Sequence, residues 1–277
     1  AVMIKAIVMA PFYLYQVRSY QANIYLKGTL KVDKIPALIK SRIKEPRLKN
    51  AVNKLFLIES QNEVTFTAPD KDDQKVVALS STIPVELDNN IAMGVINSSI
   101  YSPNIMAIVS PLTPQAFSHY KFRLEGISLE GEHLGDKIKV MPTKKNAQLV
   151  SGYIYIVENL WNVQRVNLSA SQSGVTVQIN VAYHEVRPEA FLPTSYDMNM
   201  KMDVMGVKGE AKYYSSVQYN QVDVNSQYTV PPPSKTIDEQ VAKESKQLVK
   251  IQKKLKSKDL EIKPRDSVVR VTHDTLS

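Results

Sequence analysis

Residues 136–168 read DKIKVMPTKKNAQLVSGYIYIVENLWNVQRVNL, and this stretch decides the fold. Three strand-like runs follow one another, separated by Lys144-Lys145-Asn146 and by Glu158-Asn159. Ile138 and Val140 share one side of the first run. In the second, Gly152, Ile154 and Ile156 alternate with Tyr153 and Tyr155. In the third, Trp161 and Val163 share a parity, whereas Val166 and Leu168 take the other. A period-two pattern that slips by one residue predicts a β-bulge and a bend near Arg165. Trp161, the only tryptophan in the chain, then reads as a wall residue packing a turn against a curving sheet.

The same grammar continues on both sides. YKFRLEGISLEG precedes the stretch, and VTVQINVAYHEV, SYDMNMKMDVMG and AKYYSSVQYNQV follow it. Gly131, Gly174, Pro188, Pro193, Gly206 and Gly209 supply further turn signals. Seven strands with mostly short connections predict an antiparallel meander, because parallel neighbours need long crossovers. A meander of this length curls into a barrel, a half-barrel or a sandwich.

Upstream, Met3, Ile7, Ala10, Leu14 and Val17 fall at helical spacing, predicting a helix over 2–18 that Pro11 kinks or divides. The period then becomes two in ANIYLKGTLKV, with Ala22, Ile24, Leu26, Leu30 and Val32 on one side. Pro36 opens a short helix, and strands are predicted at 55–68 and 75–82 around a Pro69-Asp70-Lys71-Asp72 turn. Residues 84–118 are apolar but rich in Asn, Ser and Pro without strict alternation, predicting two or three short helices or an irregular lid. The folded domain is expected to span 1–230. Residues 231–277 are then a Pro231–Pro233 spacer, a polar helix capped by Thr236 and Glu239, and a linker.

Composition narrows the function. The net charge is +8, but Ser234–Ser277 hold 11 Lys or Arg against 7 Asp or Glu, half of that excess. The rest is spread thinly, which argues against a nucleic-acid footprint. There are no cysteines, so disulfides and thiolate metal sites are excluded. No run of 18 apolar residues occurs. The opening AVMIKAIVMAPFYLYQV does not have the layout of a signal peptide, and the chain is expected to be a piece of a longer protein.

Chemistry is hard to find. His119, His133, His184 and His273 lack metal-ligand spacing. Ser118–Lys121 and Ser41–Lys44 match SxxK, but its partner motifs are missing. APDKDDQK lacks the glycine and terminal glutamate of a calcium loop. No cofactor loop is present, and no nucleophile, base and orienter occur together. The unusual feature is YDMNMKMDVMG, where Met198, Met200 and Met202 alternate with Asp197, Asn199, Lys201 and Asp203. Methionine suits a wall that adapts to varied apolar shapes. It also suits an ordinary core face.

The runs QVRSYQANIYLKGTLKV, SPLTPQAFSHYKFRLEG (110–126) and IKVMPTKKNAQLVSGYIYIVENLWNV (138–163) resemble a group of Gram-negative outer-membrane proteins of unknown function. The resemblance covers about residues 1–225. It implies a periplasmic region lying between a carboxypeptidase-regulatory-like sandwich and an outer-membrane β-barrel, tethered to the outer membrane through the parent protein. The element order also resembles the periplasmic lipoprotein carriers, whose incomplete barrel, closed by helices, holds acyl chains.

The expectation is therefore an α+β, mainly antiparallel β fold: a curved half-barrel sheet with helices on its concave face. The function expected is non-enzymatic binding of a lipid, lipoprotein or other hydrophobic chain, without a cofactor. The alternative is a structural module that braces or gates the barrel portion of the same protein. The expected cavity lining is Met198, Met200 and Met202 from the strand, with Ile91, Met93, Ile96 and Met106 from the lid.

Overall fold

The computed structural model describes residues 2–68, 71–83, 90–130 and 133–226. The Pro69-Asp70 turn, the Gly131 turn, the first residues of the 84–118 segment, the boundary near Val230, the proline spacer and the capped polar helix lie outside these residues.

Helix α1 (Val2–Tyr15) runs unbroken through Pro11 and ends three residues sooner than the spacing predicts. Val17 already belongs to strand β1 (Val17–Lys34) and is buried with Ala190 and Val222 instead of extending the helical stripe. Met3, Ile4, Ala6, Ile7, Ala10 and Tyr13 form the buried face of α1. Removing each Ile or Met of that face from water is worth roughly 1.5–3 kcal/mol. Two short helices follow, α2 (Ala37–Arg42) behind Pro36 and α3 (Pro46–Lys49). Strands β2 (Leu55–Thr67) and β3 (Lys71–Ser81) form a hairpin. The segment after them contains α4 (Asn90–Ile96), the small hairpin of β4 (Asn104–Ile105) and β5 (Ile108–Val109), and α5 (Ala116–His119).

Seven strands then run in order: β6 (Tyr120–Glu130), β7 (His133–Pro142), β8 (Ser151–Val157), β9 (Val163–Gln172), β10 (Val175–Arg187), β11 (Ala190–Val204) and β12 (Val207–Val224). They form the predicted meander, and β12 pairs antiparallel with β1. One curved ten-stranded sheet results, in the order β3-β2-β1-β12-β11-β10-β9-β8-β7-β6. The phase slip in 136–168 is a bulge: Tyr155 faces Arg165 but Ile156 faces Val163, leaving Gln164 as the extra residue.

Register shows which face is covered. One row of side chains crosses all ten strands as Leu79, Ser60, Leu26, Ser215, Tyr196, Val181, Val166, Ile154, Ile138 and Leu124. The eight central residues are buried, whereas Leu79 and Leu124 at the two ends are each 57% exposed. The apolar members of the buried part belong to one core with the buried face of α1, with Ala92, Met93 and Ile96 of α4, and with Leu112 and Ala116. These elements therefore pack on the face that carries the row. Gly28 is needed in the adjacent row, where a Cβ would come within 2.6 Å of the Tyr213 ring and 2.7 Å of Ile58.

Trp161 is a wall residue, partly buried against the core and set beside α1. It adopts a left-handed backbone (φ 60°), its N–H donates to the Val157 carbonyl at 2.9 Å, and Lys5 of α1 lies 4.2 Å from its ring centroid. The Tyr13 hydroxyl donates to the neighbouring Leu160 carbonyl at 2.6 Å, so the turn after β8 is fastened to α1 at two points.

Candidate ligand cavity

On β10, Val175, Val177, Ile179 and Val181 alternate with polar residues and face the covered side. Register sets each beside a partner on β11: Val181 beside Tyr196, Ile179 beside Met198, Val177 beside Met200 and Val175 beside Met202. On the other flank Val166, Leu168 and Ala170 of β9 complete the wall. Opposite stand Ala92 and Val95 of α4, then Ile105, Met106 and Ile108 around the β4–β5 hairpin. Between wall and lid is a cavity of about 520 Å³. That lies within the roughly 300–1,000 Å³ of small-molecule sites. Among the described residues none of its lining side chains is a Lys, Arg, Asp, Glu or His.

Of the residues singled out in the sequence, Met198, Met200 and Met106 line this cavity. Met93 does not; it is buried in the core. Ile96 is also buried and lines a second, adjoining pocket instead, and its carbonyl accepts a hydrogen bond from the Tyr196 hydroxyl at 3.0 Å. Met202 stands beyond the wall, beside Gly209 and Val175 near the end of the strand. Ile91 lies in α4, and its side chain is outside the described set. Most of the wall comes instead from β9 and β10. The alternation in VTVQINVAY marks this strand face, but alternation alone does not distinguish a cavity wall from a packed one.

A second pocket of about 240 Å³ adjoins the first, and both are lined by Ser98 and Tyr183. Its walls are aromatic. Tyr20 stacks on Phe66 with centroids 5.0 Å apart and meets Tyr219 edge-on at 5.1 Å, while Tyr101 meets Tyr183 edge-on at 6.4 Å. Burial raises the pKa of Tyr101, Tyr183, Tyr196 and Tyr219 above the ordinary phenol value, so all four are neutral hydroxyls at pH 7.

The catalytic fragments in the sequence do not come together. The Ser118 and Ser41 hydroxyls donate to the carbonyls of Gln115 and Leu38 at 2.7 and 2.8 Å, as helix-end serines do. His184 Nδ1 lies 2.5 Å from the Thr194 hydroxyl on the exposed part of the β10–β11 hairpin. Among the described residues no three His, Asp or Glu side chains gather as a metal site. No described helix is long and apolar enough to cross a membrane.

No curated protein sequence matches the chain. Among solved structures, it is similar to a DUF1329 family protein from Desulfovibrio piger, with 7% identity, a TM-score of 0.30, and coverage of 82% of this chain and 93% of that one. A LolA superfamily protein from Nitrosomonas europaea matches at 9% identity and TM-score 0.27, covering 83% and 93%. A chain of the MucA/MucB complex from Pseudomonas aeruginosa matches at 7% identity and TM-score 0.24, covering 78% and 93%. Residues 2–220 match the family described as "Family of unknown function (DUF5686)", and the chain belongs to that family.

Proposed function

We propose that this chain is a non-enzymatic binding module that holds an apolar chain between the β9–β11 wall and the lid, on the concave side of the curved sheet. The observation that carries the reading is the cavity of about 520 Å³ lined chiefly by aliphatic side chains, methionines and three tyrosines, with no charged group among its described lining. A space of this kind excludes ions by desolvation and rewards apolar contact. Met198, Met200 and Met106 supply an adaptable lining suited to a flexible chain. Ile91, Met93, Ile96 and Met202 belong to its supporting elements. The resemblance to periplasmic regions of outer-membrane proteins supports placing the module in the periplasm, attached to a barrel in its parent protein.

The test is native mass spectrometry of gently purified protein, followed by titration of delipidated protein with the neutral dye N-phenyl-1-naphthylamine. A co-purified apolar ligand and saturable dye binding at one site are expected. Dye that fails to bind, with no ligand retained, sinks the reading.

One observation favours a second role beside the first. Both edge strands expose apolar side chains on the covered face: Val76 and Leu79 on β3, and Leu124, Ile127 and Leu129 on β6. Exposed edges of this kind accept an added strand, which suits a module that braces the barrel portion of its own protein. Replacing Leu124 and Ile127 with Lys then abolishes co-purification with the barrel while leaving dye binding intact.

A further inference from the structure

We propose that the ligand is a single-chain amphiphile with an uncharged, hydroxylated head, and that the second pocket takes this head; the proposal rests on the cavity reading above. Volume sets the number of chains. A water's share of liquid volume is about 30 Å³, and a methylene group is of similar size. The cavity of about 520 Å³ therefore accommodates roughly 17 such groups, one medium or long chain and not two or three.

Position sets where the head goes. The two pockets meet at Ser98 and Tyr183, so a chain lying in the first reaches the second at that point. Chemistry then sets the head. The connection after α4 presents Asn97, Ser99, Ser102 and Asn104 to the second pocket, all neutral groups able to donate and accept. The opposite side offers the rings of Tyr20, Phe66 and Tyr219. Among the described residues neither pocket is lined by Lys or Arg, and the carboxylate of Asp72 stands at the second. A carboxylate or phosphate head would be desolvated there without a cation among the described lining residues. A glycerol or sugar head pairs its hydroxyls with the amides and serines and lays its C–H surface on the rings.

The experiment displaces N-phenyl-1-naphthylamine from the delipidated full chain with three ligands sharing a twelve-carbon chain. They are monolauroylglycerol, laurate and dodecyltrimethylammonium. The glycerol ester is expected to bind at least about tenfold more tightly than either ion, with one molecule per chain by native mass spectrometry. Asn104 is exposed, so the fold accommodates N104K, and the added cation is expected to raise laurate affinity about tenfold relative to the glycerol ester. Laurate or the ammonium matching the ester overturns the proposal, as does a stoichiometry of two or more. N104K that leaves laurate affinity unchanged also overturns it. Failure of the dye itself to bind overturns the cavity reading, and this proposal with it.

Discussion

Strands β8 and β10 have nearly the same sequence grammar and opposite surroundings. In β8, Ile154 and Ile156 are completely buried, as is Val163 at the start of β9, and none of the three lines either of the two pockets described above. In β10, Val175, Val177 and Ile179 point to the same side of the same sheet but face empty space. What differs is the element opposite. Beside the turn that joins β8 to β9, α1 is held by Tyr13 on Leu160 and Lys5 over Trp161, and it contributes six buried residues. Over β10 the cover is a seven-residue helix and a hairpin of two-residue strands. A face with period-two alternation encodes a wall; the length of what lies across from it determines whether the wall is packed or lines a void.

The comparison is broken most directly by truncation. Ile154→Ala removes packed contacts on every side and is expected to cost about 2–5 kcal/mol. Ile179→Ala removes atoms that already lack partners on one side and is expected to cost less than half as much. Urea unfolding of the two variants measures the difference, and equal losses would mean that the β10 face is as tightly packed as β8. Enlargement works in the other direction. Val163→Trp overpacks and is expected to cost about 1–3 kcal/mol or more. Val177→Trp fills vacant volume, is expected to stay within about 0.5 kcal/mol of the parent, and blocks dye binding. A Val177→Trp protein that still binds the dye at full affinity would place the site elsewhere.

The same contrast explains what could be read from the sequence. The meander, its length and even the bulge at Gln164 follow from local alternation, because strand parity is a property of neighbours along the chain. The pairing of β1 with β12 was not legible; it joins residues about 200 apart in sequence and is set by closing the curved sheet. The methionines were conspicuous for composition alone, and composition does not separate Met198, on the cavity, from Met202 three residues short of the next turn. The valines of β10, which form more of the wall, look like any buried strand. The end of α1 is not marked in the sequence, because Val17 is apolar at the right helical spacing and equally apolar in the strand it begins.

Ionisation of the buried tyrosines sharpens the comparison without changing a residue. Tyr13 is pushed up to about 12 by burial, and Tyr101, Tyr196 and Tyr219 are held well above the ordinary phenol value, also chiefly by burial. In the unfolded chain these phenols ionise near pH 10. Above that pH the unfolded state releases protons that the folded state retains, so ∂ΔG/∂pH is negative and stability falls. The contribution is complete below about pH 10 and is lost as pH rises toward 12, where Tyr13 titrates in the fold. The urea midpoint is expected to be insensitive to tyrosine between pH 7 and 9 and to drop steeply above 10. Tyr196 lines the cavity, but its hydroxyl is already buried and donates to the Ile96 carbonyl, so bound ligand raises the midpoint by mass action and leaves the pH of the drop where it is. A drop that saturating dye moves to higher pH would argue that the Tyr196 hydroxyl reaches water in the free protein.

The smallest effect tests the fastening of α1 to the turn after β8. Lys5 is exposed, and its ammonium over the Trp161 ring is a partly solvated cation–π contact worth about 0.5–1 kcal/mol. Lys5→Met keeps the aliphatic stem over the ring and removes the charge, so the loss is expected to lie within that range and to shrink little with added salt, since the ring quadrupole attracts at contact distance. Trp161→Leu in the Lys5→Met background separates the ring's own packing from the pair. A coupling energy near zero in that double-mutant cycle would reduce Lys5 to a solvated side chain, leaving the Tyr13 hydrogen bond to Leu160 as the point where α1 is secured over the packed end of the sheet.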